Sequence, residues 1–295
     1  MSDLRVVVIG KNEGITLDRV FRSINVAKQN FEKAFGRTPE VVYVDSNSTD
    51  DSVEIAKNHN VRTIIIKDKP NPAKARNAGL QDCITEFIFF LDGDTEVDPM
   101  WLVEGVRYLQ MRTEVAGVGG MLKNIFYAPD NSPKFIIENY RNIVNEEEPI
   151  SDSMGGTFLF RVAALKKVNG FNAELRVSEE FELMLRLLYH NLMVRRIKKP
   201  MATHHDYKTK ATLSSYFKKN IFTPDIFVPG FVIVNVPKNF NVLKKIFQRY
   251  GLYFIYLPLL LFALFLFSIS EIVAGLIVLV VLVFLVLYYK DARRI

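Results

Sequence analysis

Cysteine is almost missing from this chain of 295 residues, which has one, Cys83. A single thiol closes no internal disulfide, so stability has to come from packing, and a reducing compartment fits. Four histidines and one cysteine are too few for a zinc-finger or iron–sulfur framework. Tryptophan also occurs once, as Trp101. Two phosphate-binding signatures are absent. No G-x-x-x-x-G-K-[ST] occurs, which excludes a P-loop, and no G-x-G-x-x-G follows the first apolar segment, which argues against a dinucleotide site. The opening MSDLRVVVIG has no basic region ahead of an apolar one and reads as a strand, not a signal peptide. An apolar share of 49% excludes a disordered chain.

What is there is unevenly placed. The net charge of +6 invites a nucleic-acid reading. Divided along the chain, residues 1–189 carry 23 basic against 28 acidic residues, 190–250 carry 12 against two, and 251–295 carry three against two. The basic surplus is one block ahead of an apolar tail, so a lipid surface is the expected partner and nucleic acid is not.

That tail has two uncharged runs, 252–269 and 272–289, broken only around Ser270 and Glu271. At 1.5 Å per residue each run spans about 27 Å as helix, close to the ~30 Å hydrocarbon core. The expectation is a transmembrane hairpin over 251–295 with a basic C-terminal end. Lys244, Lys245 and Arg249 precede it, and Lys290, Arg293 and Arg294 follow it. The positive-inside rule then puts both ends, and the catalytic domain, on the cytoplasmic side of the cell membrane. One spanning helix at 272–289, or two buried helices of a soluble protein, are the alternatives. Residues 207–250 read as a basic amphipathic juxtamembrane segment: Val242, Ile246 and Phe247 share a helical face, with the basic residues elsewhere, which suits an anionic leaflet.

Residues 1–206 read as one α/β domain. Apolar strands at 4–9, 41–45, 62–66 and 87–91 alternate with helices at about 15–34, 51–58, 74–83 and 99–112. That alternation predicts a mainly parallel sheet covered on both faces, with ligands beyond the C-terminal strand ends. Polar clusters fall at those ends: Gly10–Glu13, Asp45–Asp50, and Asp92-Gly93-Asp94. Two carboxylates at i, i+2 around a glycine, after a buried strand, suit Mg²⁺ or Mn²⁺ bridging to substrate phosphates. Asp98 reads as the N-cap of the helix that follows, with Pro99 at its first position.

Eight segments in order resemble family 2 glycosyltransferases with the GT-A fold: VVVIGKNE (6–13), VDSNSTDDS (44–52), ARNAGL (75–80), FLDGD (90–94), GGTFLFR (155–161), NGF (169–171), SEEFELMLR (178–186) and THHD (203–206). The resemblance covers roughly residues 4–210 and implies a GT-A nucleotide-diphospho-sugar transferase fold with a Rossmann-like N-terminal half. It implies that Asp45 reads the nucleobase, with Asn12 and Glu13 in the same pocket. Arg76 would stand near the diphosphate, and Asp92 near the ribose or metal. Asp94, with Asp92 and His205, would hold Mg²⁺ or Mn²⁺; His205-Asp206 matches the family pattern better, and His204 is the alternative. Residue types alone leave other readings open: Asn12 and Ser48 as helix caps, and Arg76 as partner of a carboxylate.

Glu179 and Glu180 open a helix whose apolar residues Phe181, Met184, Leu185 and Leu188 follow helical spacing. The family has E-D here, with the Asp as general base, so Glu180 corresponds to the base and Glu179 stays a candidate. Acids at a helix start also simply favour its dipole. The implied reaction is inverting and non-processive, because Q-x-x-R-W, which marks processive synthases of the family, is absent. It would move a sugar from an NDP-sugar, UDP above all, to a hydroxyl of a membrane-associated glycan or lipid-linked acceptor. Transfer onto a polyprenyl phosphate, which needs no base, is the alternative; a catalytically dead membrane scaffold is a further one.

Overall fold

A computed structural model describes residues 3–138 apart from 129, 147–149, 156–207, 232, 234–247, 251, 258–259, 262, 276 and 278–283. It divides into two compact units, Met1–Asn239 and Phe240–Ile295.

In the first unit the apolar runs become strands. β1 (Leu4–Gly10), β2 (Glu40–Asp45), β3 (Arg62–Ile65) and β4 (Phe87–Asp92) pair in parallel, in the order β3-β2-β1-β4. The connections are helical: α1 (Leu17–Phe35), α2 (Ser52–Asn58) and α3 (Pro72–Gln81). α1 forms because Leu17, Val20, Phe21, Ile24, Ala27 and Phe31 recur on one face and are all buried, and Gly36 closes it at φ 67°. α3 starts where Asn71 accepts a hydrogen bond from Lys74 N and Pro72 takes the first turn. Its Gly79 lets α3 sit hard on β1, since a Cβ there would meet Val7 Cγ1 at 2.4 Å.

Beyond β4 the sheet becomes mixed. Short β5 (Thr95–Val97) leads to α4 (Trp101–Met111), then β6 (Val115–Tyr127), β7 (Pro133–Glu138), β8 (Glu147–Pro149) and β9 (Phe158–Arg161). α5 (Val162–Lys167) and α6 (Glu179–Tyr189) precede β10 (Met193–Asp206). β9 lies antiparallel between β4 and β6, β10 runs parallel to β6, and β5 returns antiparallel on β10. The expected mainly parallel sheet therefore holds for the first four strands only. The later strands carry charge and bulges, so they do not read as buried apolar runs; β10 contains Arg195, Arg196, Lys198 and Lys199, and its register to β6 shifts around Pro200. Those four basic residues lie in the sheet, ahead of the juxtamembrane segment expected over 207–250. α4 begins at Trp101, two residues past the expected start, because Asp98 accepts from Met100 N and Trp101 N and makes a turn of its own.

One apolar core runs under these elements. Phe21, Phe31, Tyr43, Phe89, Trp101 and Leu159 lie in it, each 1% exposed or less. It fixes the strands so that their polar C-terminal ends meet at one edge.

In the second unit, residues 240–247 are helical. Val242 and Ile246 are buried, whereas Phe240 and Phe247 are 81% and 65% exposed. The expected face of Val242, Ile246 and Phe247 is thus divided: two residues point inward, and Phe247 points out with Phe240 and Leu243. Among the described residues no helix is long and apolar enough to cross a membrane. Most of 252–269 and 272–289, where the hairpin is expected, and all of 208–231 lie outside the described residues.

Candidate active site

The site is built at the C-terminal ends of β1, β2 and β4, where register aligns Gly10 with Asp45 and Ile9 with Asp92. Two loops are clipped together there. Asn12, at φ 57°, accepts from Thr49 N at 2.8 Å, and its own N–H donates to Ser48 Oγ. Asn12 thus joins the β1–α1 and β2–α2 loops. Asp45 is 1% exposed and accepts from Ser48 N at 2.8 Å, Ser48 Oγ at 2.5 Å and Tyr43 Oη at 3.0 Å. Burial, and then the Asp45 charge, push the Tyr43 hydroxyl well above its ordinary pKa. Glu13 lies against the D-G-D turn: a Cβ on Gly93 or Gly10 would meet its Cγ at 3.0 or 3.2 Å.

Arg76 is the hub. α3 carries it under the sheet end, where it is 2% exposed. Nη1 donates to Glu179 Oε1 at 2.8 Å, and Nη2 donates to Asp92 Oδ1 at 3.1 Å and Gly156 O at 3.4 Å. Glu180 Oε1 stands 3.5 Å from the same Nη2. The structure therefore brings Asp92, Glu179 and Glu180 together around one guanidinium. Desolvation raises the Asp92 carboxyl above its usual range, against Arg76, with Asp94 and Glu180 adding to the rise.

Glu179 and Glu180 differ in reach. Ser178 enters α6 at φ 61°, left-handed backbone, and the first turn of the helix then presents both acids. Glu179 is 4% exposed by side chain, and Glu180 18%. Burial and the Glu180 charge push Glu179 up to about 7, against Arg76. Glu179 is the buried member of the pair, and Glu180 is the more accessible one. A side chain that must reach a bound molecule from this pair is therefore better placed at Glu180 than at Glu179.

The histidines divide by strand alternation. His204 Nε2 stands 3.5 Å from Asp94 Oδ2, and Nδ1 lies 3.1 Å from Asn124 Oδ1. Burial lowers the His204 imidazole, but Asp94, Asp92 and Asp206 outweigh it and hold its pKa above the ordinary value. His205 points the other way, with Nε2 2.7 Å from Glu96 and Nδ1 2.8 Å from Tyr127 Oη. The His205 backbone N–H donates to Asp94 O at 2.9 Å, but its imidazole is turned away from the Asp94 carboxylate, and the His204 imidazole is the one that faces it. Among the described residues no three His, Cys, Asp or Glu converge on a cation position. Asp94 and His204 form a two-residue set with mixed oxygen and nitrogen donors. Its carboxylate is the oxygen donor that Mg²⁺ or Mn²⁺ takes, whereas an imidazole does not suit Mg²⁺, so Asp94 is the member that could hold such an ion.

Two features were not legible as site residues. Gly156 packs so tightly that a Cβ would fall 1.9 Å from Asp92 Oδ2, and its carbonyl holds Arg76. Its place in GGTFLFR is the only sequence signal. Glu96, Arg19 and Tyr127 surround His205, and no local motif marks them.

A family model described as Glycosyl transferase family 2 matches residues 5–168. Solved structures of S. aureus TarS share the fold. TarS 1-349 superposes with a TM-score of 0.61 at 19% identity, over 85% of this chain and 72% of that one. Its complex with UDP-GlcNAc gives 0.58 at 18%, over 85% and 74%. Another TarS structure gives 0.61 at 18%, and there the chain covers 43% of it. At these identities the likeness speaks for the fold. No curated protein matches.

Proposed function

The chain belongs to glycosyl transferase family 2, and from that premise we propose that it moves one sugar from a UDP-sugar to a hydroxyl of a membrane-associated glycan or lipid-linked acceptor. The observation that carries this reading is the meeting of Asp92, Glu179, Glu180 and Arg76 at the strand ends, with Asp94 next in line. TarS, of the same fold, is solved with UDP and with UDP-GlcNAc, which supports a UDP-sugar donor here.

In this reading Asn12 and Glu13 line the nucleotide end, and Asp45, buried and bonded to Tyr43 and Ser48, holds the loop beneath it. Glu180 takes the proton of the acceptor hydroxyl. As that oxygen bonds to the anomeric carbon, the bond from carbon to the diphosphate oxygen breaks, and the electron pair leaves with the nucleoside diphosphate. Attack opposite the leaving group inverts the anomeric centre. Mg²⁺ or Mn²⁺, held by Asp94 with His204 beside it, would supply charge stabilisation for the departing diphosphate. Asp94 and His204 thus serve the donor side, and Glu180 the acceptor side.

Membrane association is part of the proposal. It rests on the two uncharged runs at 252–269 and 272–289, and on exposed Phe240, Leu243 and Phe247 beside Lys244 and Lys245.

The test is transfer from a panel of UDP-sugars to a detergent-solubilised lipid acceptor extract, with Mn²⁺ or chelator. Asp94→Ala should lose about 10²-fold or more in turnover, the scale of removing one preorganised electrostatic contact. Full activity of Asp94→Ala in the presence of chelator would rule the donor-side assignment out.

A further inference from the structure

The family resemblance assigns Arg76 to the donor diphosphate, but its surroundings argue otherwise. Resting on the transferase reading above, we infer that Arg76 and Glu179 are a positioning pair that sets Glu180 against the end of β4, and that Arg76 does not hold the diphosphate.

The guanidinium is buried and turned onto protein acceptors. Nη1 is committed to Glu179 at 2.8 Å, and Nη2 to Asp92, Gly156 O and, more distantly, Glu180. Nε is buried and finds no acceptor among the described residues. The Phe171 ring centroid lies 5.5 Å from the guanidinium carbon, closing another side by a cation–π contact. A phosphate would have to displace a carboxylate from a residue that is 2% exposed.

The charges point the same way. Asp92, Glu179 and Glu180 outnumber Arg76 three to one when ionised. A locally anionic cluster repels a diphosphate unless a cation intervenes. Near the donor, this Arg is spent on protein carboxylates.

What it does instead follows from connectivity. Arg76 sits on α3, Asp92 ends β4, Gly156 precedes β9, and Glu179 and Glu180 open α6. One side chain therefore ties the base-bearing helix to the strand that carries D-G-D. Its planar fork can face Glu179 and Asp92 at once; a lysine ammonium is a single point and cannot. Glu180, the longest of the three contacts and the most accessible acid of α6's opening pair, is left able to meet an acceptor.

The experiment separates binding from turnover. UDP is titrated calorimetrically, with Mn²⁺ present, into wild type, Arg76→Ala, Arg76→Lys and Glu179→Gln. Turnover of the active UDP-sugar is then measured at saturation. The positioning role predicts unchanged UDP affinity, kcat lowered about 10²-fold by Arg76→Ala, the scale of a roughly 1 Å misplacement, and partial recovery in Arg76→Lys. A diphosphate ligand predicts the reverse: UDP affinity weakened about tenfold or more with kcat retained. That result overturns the inference, as would a crystal structure with UDP showing the guanidinium on phosphate oxygens. Should Arg76→Ala fail to fold, Glu179→Gln, which keeps shape and removes charge, carries the same comparison. Absence of UDP binding by wild type would instead sink the transferase reading.

Discussion

Glu179 keeps its carboxyl where charge is costly, and that has a measurable consequence. Its pKa is pushed up to about 7 by burial and by Glu180. The folded state therefore holds this proton more tightly than the unfolded chain. Stability from this group is fully present at acid pH, below the ordinary glutamate value, and falls as pH rises through about 7. The span corresponds to a few kcal/mol at most, on the order of 3. Urea melts from pH 5 to 8 should show stability declining with pH, and Glu179→Gln should flatten that slope; an unchanged slope in the variant would remove the assignment. At this scale the acids were legible, because Asp92, Asp94, Glu179 and Glu180 stand in recognisable surroundings. The role of Arg76 was not, since residue type does not say which of several anions a guanidinium meets. Nor was the choice between His204 and His205, which depends on which side of β10 each occupies.

Among the elements, α3 is the one whose placement the site depends on most, because it carries Arg76 beneath the sheet end. Its closeness to β1 requires Gly79, whose missing Cβ leaves room for Val7. Gly79→Ala should cost about 1–3 kcal/mol by overpacking, despite alanine's better helix propensity. A thermal melt reads this directly, and a stabilised variant would show that α3 is free to move. β1 to β4 and α1 to α4 were readable to within a few residues, because buried parallel strands are apolar runs and their helices are amphipathic. β6 to β10 were not. They pair mostly antiparallel, carry charge on partly solvated faces, and contain bulges that break any period of two. β10, with its four basic residues, looks like a surface segment until its pairing with β6 is known.

For the whole molecule, the charge division of the sequence acquires a partial structural meaning. Part of the basic block is sheet, and part is helix 240–247 with exposed Phe240 and Phe247. The membrane proposal predicts that the full chain floats with vesicles containing anionic lipid. Replacing Phe240, Leu243 and Phe247 together with serine should weaken binding of a fragment ending at residue 251. No loss in that fragment would show the helix plays no part. The central claim is sugar transfer with Glu180 as base, and one comparison tests it most directly: UDP-sugar transfer by wild type against Glu180→Gln, at matched UDP affinity. The account predicts a loss of about 10²–10⁴-fold in turnover to a hydroxyl acceptor, the range of general base catalysis, with UDP binding intact. Glu180→Gln transferring at the wild-type rate would contradict it and point to an acceptor that needs no base.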